Sequence, residues 1–126
     1  MSAAAARGCW PTRDLPVLGW LLATVLVTHT HPLRARVGER VRIWVLEAGP
    51  SRSTSFHVVG GQFDTTYAEG AWLLRRGDGG AQSLALGAAQ GGFVEMSFRE
   101  AGDYPFVSHV MVDAERGAHG TIRVIR

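Results

Sequence analysis

Five histidines, one cysteine and eleven carboxylates carry most of the reactive chemistry open to this 126-residue chain. The histidines are His29, His31, His57, His109 and His119. In an extended segment side chains repeat every two residues, so His29-Thr30-His31 would put two imidazoles on one side, an arrangement that can hold copper or zinc. Such a pair arises easily by chance, and this one lies in the least patterned part of the chain; no metal is assigned to it. Cys9 stands alone, which excludes an internal disulfide, a paired-cysteine redox motif and a zinc ribbon. It also lies too far ahead of the apolar run that follows to serve as a lipid anchor. Ser55 and His57 share a strand face and Asp64 follows closely, yet no strained GxSxG elbow presents a nucleophile. Ser108 and His109 are adjacent on a strand, so they point to opposite faces and cannot act as a nucleophile–base pair. The glycine-rich stretches join strands instead of leading a strand into a helix, which argues against a phosphate loop.

These side chains must be positioned by short strands. Arg40-Val41-Arg42-Ile43-Trp44-Val45-Leu46 opens with strict alternation and ends as an apolar run, the pattern of a strand entering a core. Further strands are predicted over 55–59, 71–74, 82–86, 92–98, 103–111 and 120–125, with turns at Gly49-Pro50, Gly60-Gly61 and Gly77-Asp78-Gly79-Gly80. Val112 to Ala118 reads as one helical turn, with Asp113 and Glu115 near its start. Seven short strands separated by turns predict an all-β sandwich or barrel of Greek-key type with a single helical turn. Trp44, Phe56, Val58, Phe93, Phe98, Tyr104 and Phe106 are the expected core, each worth roughly 1.5–3 kcal/mol when buried.

Composition agrees with one globular domain. Apolar residues make up 46% and charged residues 19%, and there are 16 glycines and five prolines. A net charge of +2 is too small and too scattered to indicate a nucleic-acid partner. The charge is nonetheless uneven. Residues 1–42 carry six arginines against Asp14 and Glu39, a balance of +4, and residues 43–126 carry seven against nine acids, a balance of −2. A boundary is placed at His31-Pro32, giving an irregular N-terminal segment, 1–31, and a β domain, 32–126. Residues 15–27 form an apolar run of 13, short of the ~18–20 needed for a membrane-spanning helix. Its length suits the apolar centre of a signal peptide, but Val27-Thr28-His29-Thr30 offers no small-residue cleavage pattern. A signal-like segment and a structural segment both remain open.

Two segments carry a more specific signal. The first is Ser55-Phe56-His57-Val58-Val59-Gly60-Gly61-Gln62-Phe63-Asp64. The second runs from Gly102-Asp103-Tyr104-Pro105-Phe106-Val107-Ser108-His109 through Val110-Met111-Val112-Asp113-Ala114-Glu115-Arg116 to Gly117-Ala118-His119-Gly120. Together they resemble the second cupredoxin domain of copper-containing nitrite reductases and related multicopper oxidases, over roughly residues 32–126. That domain has a His-x-x-Gly-Gly segment and, later, a strand bearing His, an acidic helical turn and Gly-Ala.

The resemblance implies a cupredoxin-like Greek-key sandwich and an oxidoreductase ancestry. It also implies what is lacking. Ser108 stands where a blue-copper site has its cysteine, and Val107 and Val112 stand at neighbouring histidine positions, so neither a type 1 copper nor half of a trinuclear cluster is expected. In the nitrite reductase architecture a type 2 copper lies between subunits of a trimer. By resemblance His109 would be the ligand given by one subunit to that shared copper, and His57 the catalytic group beside the metal that delivers protons. The first domain and the other ligands would have to come from elsewhere, in a homo-trimer or from a separate first cupredoxin domain, so the chain alone is expected to be inactive. A small substrate such as nitrite and an extracytoplasmic location follow from the same resemblance. The alternatives are a non-catalytic β-sandwich that binds a partner, or a truncated oxidase remnant.

Overall fold

A computed structural model describes residues 13–17, as backbone only, and 32–126. Ten strands and one helix follow in order: β1 Arg13–Val17, β2 Leu33–Arg36, β3 Arg40–Leu46, β4 Thr54–Val58, β5 Thr65–Ala68, β6 Ala71–Leu74, β7 Ser83–Leu86, β8 Gly91–Ser97, β9 Gly102–Ser108, α1 Met111–Glu115 and β10 His119–Ile125. They form two five-stranded sheets, ordered β1-β3-β8-β5-β6 and β2-β10-β9-β4-β7. The β1–β3 and β10–β2 pairs are parallel and the remaining pairs antiparallel.

The period-2 pattern decides what lies between the sheets. On β3, Val41, Ile43 and Val45 are buried while Trp44 and Leu46 on the alternate positions are exposed. Phe56 and Val58 on β4, Phe106 on β9 and Ile122 on β10 close the core from the other sheet. Phe56 stacks on Phe63 at 6.0 Å and tilts against Phe106 at 5.9 Å between ring centroids.

All seven expected strands are present: 40–46 and 71–74 have the expected ends, and the other five are shifted by one to three residues at one or both ends. Three more occur: β1, β2 and β5. β2 (Leu-Arg-Ala-Arg) and β5 (Thr-Thr-Tyr-Ala) are four residues each, too short and polar to show a period. β9 stops at Ser108, three residues before its expected end, because Val110 becomes the residue that caps α1. Gly117, at φ +109°, ends that helical segment, and the chain turns into β10.

The expected core needs one correction. Trp44 is 44% exposed, because it has the same parity on β3 as Arg40 and Arg42. It begins an aromatic row across the outer face of the first sheet. Trp44 lies opposite Phe93, Phe93 opposite Tyr67, and Tyr67 opposite Trp72, with centroids 4.9, 5.0 and 5.2 Å apart. Phe93 is buried, but by this row and not by the space between the sheets. Tyr104 packs, half-buried, at the margin of the core.

Beside the row lies an ion-pair network. Arg40 reaches Asp64 and Glu95, each at 2.6 Å, and Arg42 reaches the other oxygen of Glu95 at 2.6 Å. The hydrogen bond to Asp64, and after it that to Glu95, holds the Arg40 guanidinium well above its ordinary pKa despite the opposing effect of burial. Among the described residues no helix is long and apolar enough to cross a membrane. Cys9 and the His29/His31 pair lie outside the described residues.

Candidate copper-enzyme site

His57 and His109 are brought together by the pairing of β4 with β9. Phe56 lies opposite Ser108 and His57 opposite Val107. Thr54, Phe56 and Val58 turn into the sandwich, leaving Ser55 and His57 on its outer side. On β9 the inward residues are Phe106 and Ser108. His109 follows the end of β9, and its backbone N–H donates to the Ser55 carbonyl at 2.9 Å, which carries the β4 contact one step further. The two imidazoles thus share one outer face, 5.2 Å apart between ring centroids and tilted by 46°.

Each ring is prepared differently. His57 is half-buried, and its Nδ1–H donates to the backbone carbonyl of Gln82 at the start of β7. In the neutral ring that bond fixes the tautomer, with the proton on Nδ1 and the lone pair on Nε2. His109 is exposed, and only its backbone is tied down. A crevice of about 680 Å³ opens beside His57, bordered by Gly60, Gly61, Gln62 and Tyr104. Gly60 takes φ +80° and the Gly61 N–H donates to the Val58 carbonyl at 3.0 Å, closing the turn that ends β4. This turn is the structural content of the His-x-x-Gly-Gly segment. At the other segment, Gly120 lies opposite Phe106 in the β9–β10 pair, and a Cβ there would run into the Phe106 ring.

The inward position next to His109 has a different chemistry. Ser108 is 2% exposed; its hydroxyl accepts from Thr54 Oγ1 at 2.9 Å and from the Val110 N–H at 3.2 Å. It bridges β4 to the start of α1 and is not a soft donor. Val112, on α1, is exposed. Ser108 and Val112 do not fit a type 1 copper. His109, outside them, offers an imidazole at the surface. Among the described residues no group of three or more His, Cys, Asp or Glu gathers to form a complete site.

The other candidates are placed elsewhere. Asp64 is committed to Arg40, so it does not assemble with Ser55 and His57 as a hydrolytic triad. His119 Nδ1–H donates to the Ala114 carbonyl at 2.7 Å, fastening β10 to α1. The Gln82 carbonyl escaped sequence reasoning because a backbone acceptor leaves no residue-type signal. Thr54 escaped because only the strand register shows that it faces Ser108.

No family model matches the chain. It is 37% identical over 99 residues to the copper-containing nitrite reductase of Neisseria meningitidis serogroup A, covering 78% of this chain and 25% of that protein. A solved copper-containing nitrite reductase from Thermus scotoductus superposes with a TM-score of 0.68 at 32% identity, covering 75% of this chain and 22% of that one. A multicopper oxidase structure superposes with a TM-score of 0.67 at 26% identity, covering 77% and 33%. Its homologues are copper-containing nitrite reductases and multicopper oxidases. The fold is the cupredoxin-like β-sandwich. The chain spans about a quarter of the length of the curated relatives it matches. This similarity supports a cupredoxin-like domain of copper-enzyme type, with oxidoreductases as its relatives.

Proposed function

We propose that this cupredoxin-like domain gives one imidazole, His109, to a type 2 copper whose remaining ligands come from a neighbouring subunit or a separate first cupredoxin domain. His57 acts beside that metal as the proton-delivering group, and a small oxyanion such as nitrite is the substrate class. The observation that carries this reading is the pairing of the two imidazoles, 5.2 Å apart, on one outer face of the β4–β9 pair. A ligand shared across an interface must stand at the surface on a fixed backbone, and His109 does both. A proton-delivering group must present one ring nitrogen to solvent or substrate while the other is held. His57 is held at Nδ1 by the Gln82 carbonyl, leaving Nε2 to accept and pass a proton. Reducing an oxyanion consumes protons, which an imidazole held at one nitrogen can relay through the other.

Bound copper would supply Lewis-acid and one-electron redox chemistry at this face. The chain's own part is to orient His109, fix the His57 tautomer and keep the inner side of β9 packed. A domain outside the cytoplasm, assembled as a trimer of two-domain units, is the arrangement this reading favours.

The test is elemental copper analysis of the purified chain, alone and mixed with a first cupredoxin domain carrying the other ligands. Copper well below one per chain alone, rising to one type 2 copper per chain in the mixture, is the expected result. Tight stoichiometric copper in the chain alone would contradict a shared site. A second reading, a non-catalytic partner-binding sandwich, draws on the exposed Trp44, Leu46, Trp72 and Leu73 of β3 and β6. It predicts complex formation with no copper taken up.

A further inference from the structure

The inner side of the β9 end opens on a second site. The loop after β3, the start of β4, the end of β9 and α1 line a cavity of about 270 Å³ that opens to solvent. Ser108 faces this cavity and His109 faces away from it, so the cavity stands independently of the copper reading.

Its charged lining is unusual. Glu47 is only 8% exposed; one carboxylate oxygen accepts from the Gly49 N–H at 2.9 Å, and no cation among the described residues pairs with it. Its other oxygen is not sealed off from solvent, and Glu47 lines the cavity, so the carboxylate is open to a cationic group there. On the α1 side, Arg52 meets Asp113 at 3.0 Å, and Arg116 borders the cavity with no ion pair among the described residues. Two acids, Glu47 and Asp113, thus face two arginines, Arg52 and Arg116, for a lining with no net charge. A bare cation would gain Glu47 and meet two guanidinium groups. A bare anion would gain Arg116 and meet two carboxylates. A ligand carrying both charges satisfies the two unmatched groups together. Ser108, whose oxygen already accepts twice, has its own O–H left to donate.

We propose that this cavity binds a small amino acid, α or ω, with its ammonium on Glu47 and its carboxylate at Arg116. The test uses the full chain, following backbone amide shifts of Ser51, Arg52 and Thr54 by nuclear magnetic resonance. The probes are glycine, β-alanine, 4-aminobutyrate and 6-aminohexanoate, with butylamine and butyrate as single-charge comparators. At least one amino acid is expected to give saturable shifts at these amides and to bind about tenfold or more tighter than either comparator, in line with two charge-assisted contacts. Glu47→Gln keeps an oxygen for the Gly49 N–H and removes the charge; it should weaken binding about tenfold or more. Arg116→Gln, at an exposed position with no structural partner to lose, should weaken it similarly and keeps the test open if the Glu47 variant folds poorly. No saturable shift with any of the four amino acids would overturn the proposal. So would butylamine binding as tightly as the best of them, or unchanged affinity in both variants.

Discussion

Ser108 and His109 are consecutive residues in opposite surroundings. Ser108 is buried and its hydroxyl joins two elements of the fold; His109 is exposed and held only through its backbone. A strand that alternates faces can devote one side to packing and the other to chemistry. The packed side fixes where the outward side chain stands. The comparison also accounts for the histidine partner. His57 lies on the same outer face, while Phe56 beside it fills the core opposite Ser108. The placement of both imidazoles depends on packing one residue away.

The widest separation between the two sides should come from removing His57. If the proposed copper assembly is reconstituted, His57→Ala is expected to cut its turnover by ~10²–10⁴-fold, the range for a general acid, with little change in folding stability. Steady-state rates and a denaturant melt on the same variant check both parts. Phe106→Ala, two residues before Ser108 on the inward side, should do the reverse to stability, costing about 3–5 kcal/mol by urea unfolding. If the His57 variant unfolds as readily as the Phe106 variant, the division of labour between the faces is wrong.

Smaller effects sharpen the picture on the inner side. Ser108→Ala leaves Thr54 and the Val110 N–H without their acceptor and should cost about 1–3 kcal/mol. Ser108→Cys should give no intense blue absorption with copper, because Val107 and Val112 supply no imidazole beside the new thiolate. A blue band in that variant would show that the inner face can still build a type 1 site.

The weakest effect belongs to the exposed pair of Asp103 and Arg123. The hydrogen bond from Arg123 lowers the Asp103 carboxyl below its ordinary value of 3.8. A lowered folded-state pKa contributes stability that is present above 3.8 and is lost as pH falls through the folded value. Asp103→Asn should therefore leave the melting temperature at neutral pH almost unchanged and flatten its decline only in strong acid. A large loss at neutral pH would mean that this pair does more than a solvated surface contact can.

Much of this architecture is legible in the sequence, for physical reasons that can be named. Strands with a buried face announce themselves by alternation, as β3 and β8 do. The His-x-x-Gly-Gly turn is visible because Gly60 must take a positive φ. Trp44 shows where such reading fails: its size argues for the core, but its parity with Arg40 and Arg42 puts it outside. A short polar strand such as Thr65–Ala68 carries too little pattern, and becomes a strand only because β8 and β6 flank it. At the site, the two histidines are readable as residue types, but their meeting depends on the β4–β9 register. The Gln82 carbonyl and the unpaired Glu47 are visible only in three dimensions.

In the proposed site His109 binds metal and His57 moves protons beside it. Copper content of the reconstituted assembly, measured in His109→Ala and His57→Ala side by side, separates these two roles. His109→Ala is expected to lose the type 2 copper, because the shared site loses a ligand, and His57→Ala to keep it at close to the parent level. Loss of copper from His57→Ala with retention in His109→Ala would contradict the assignment of the two roles.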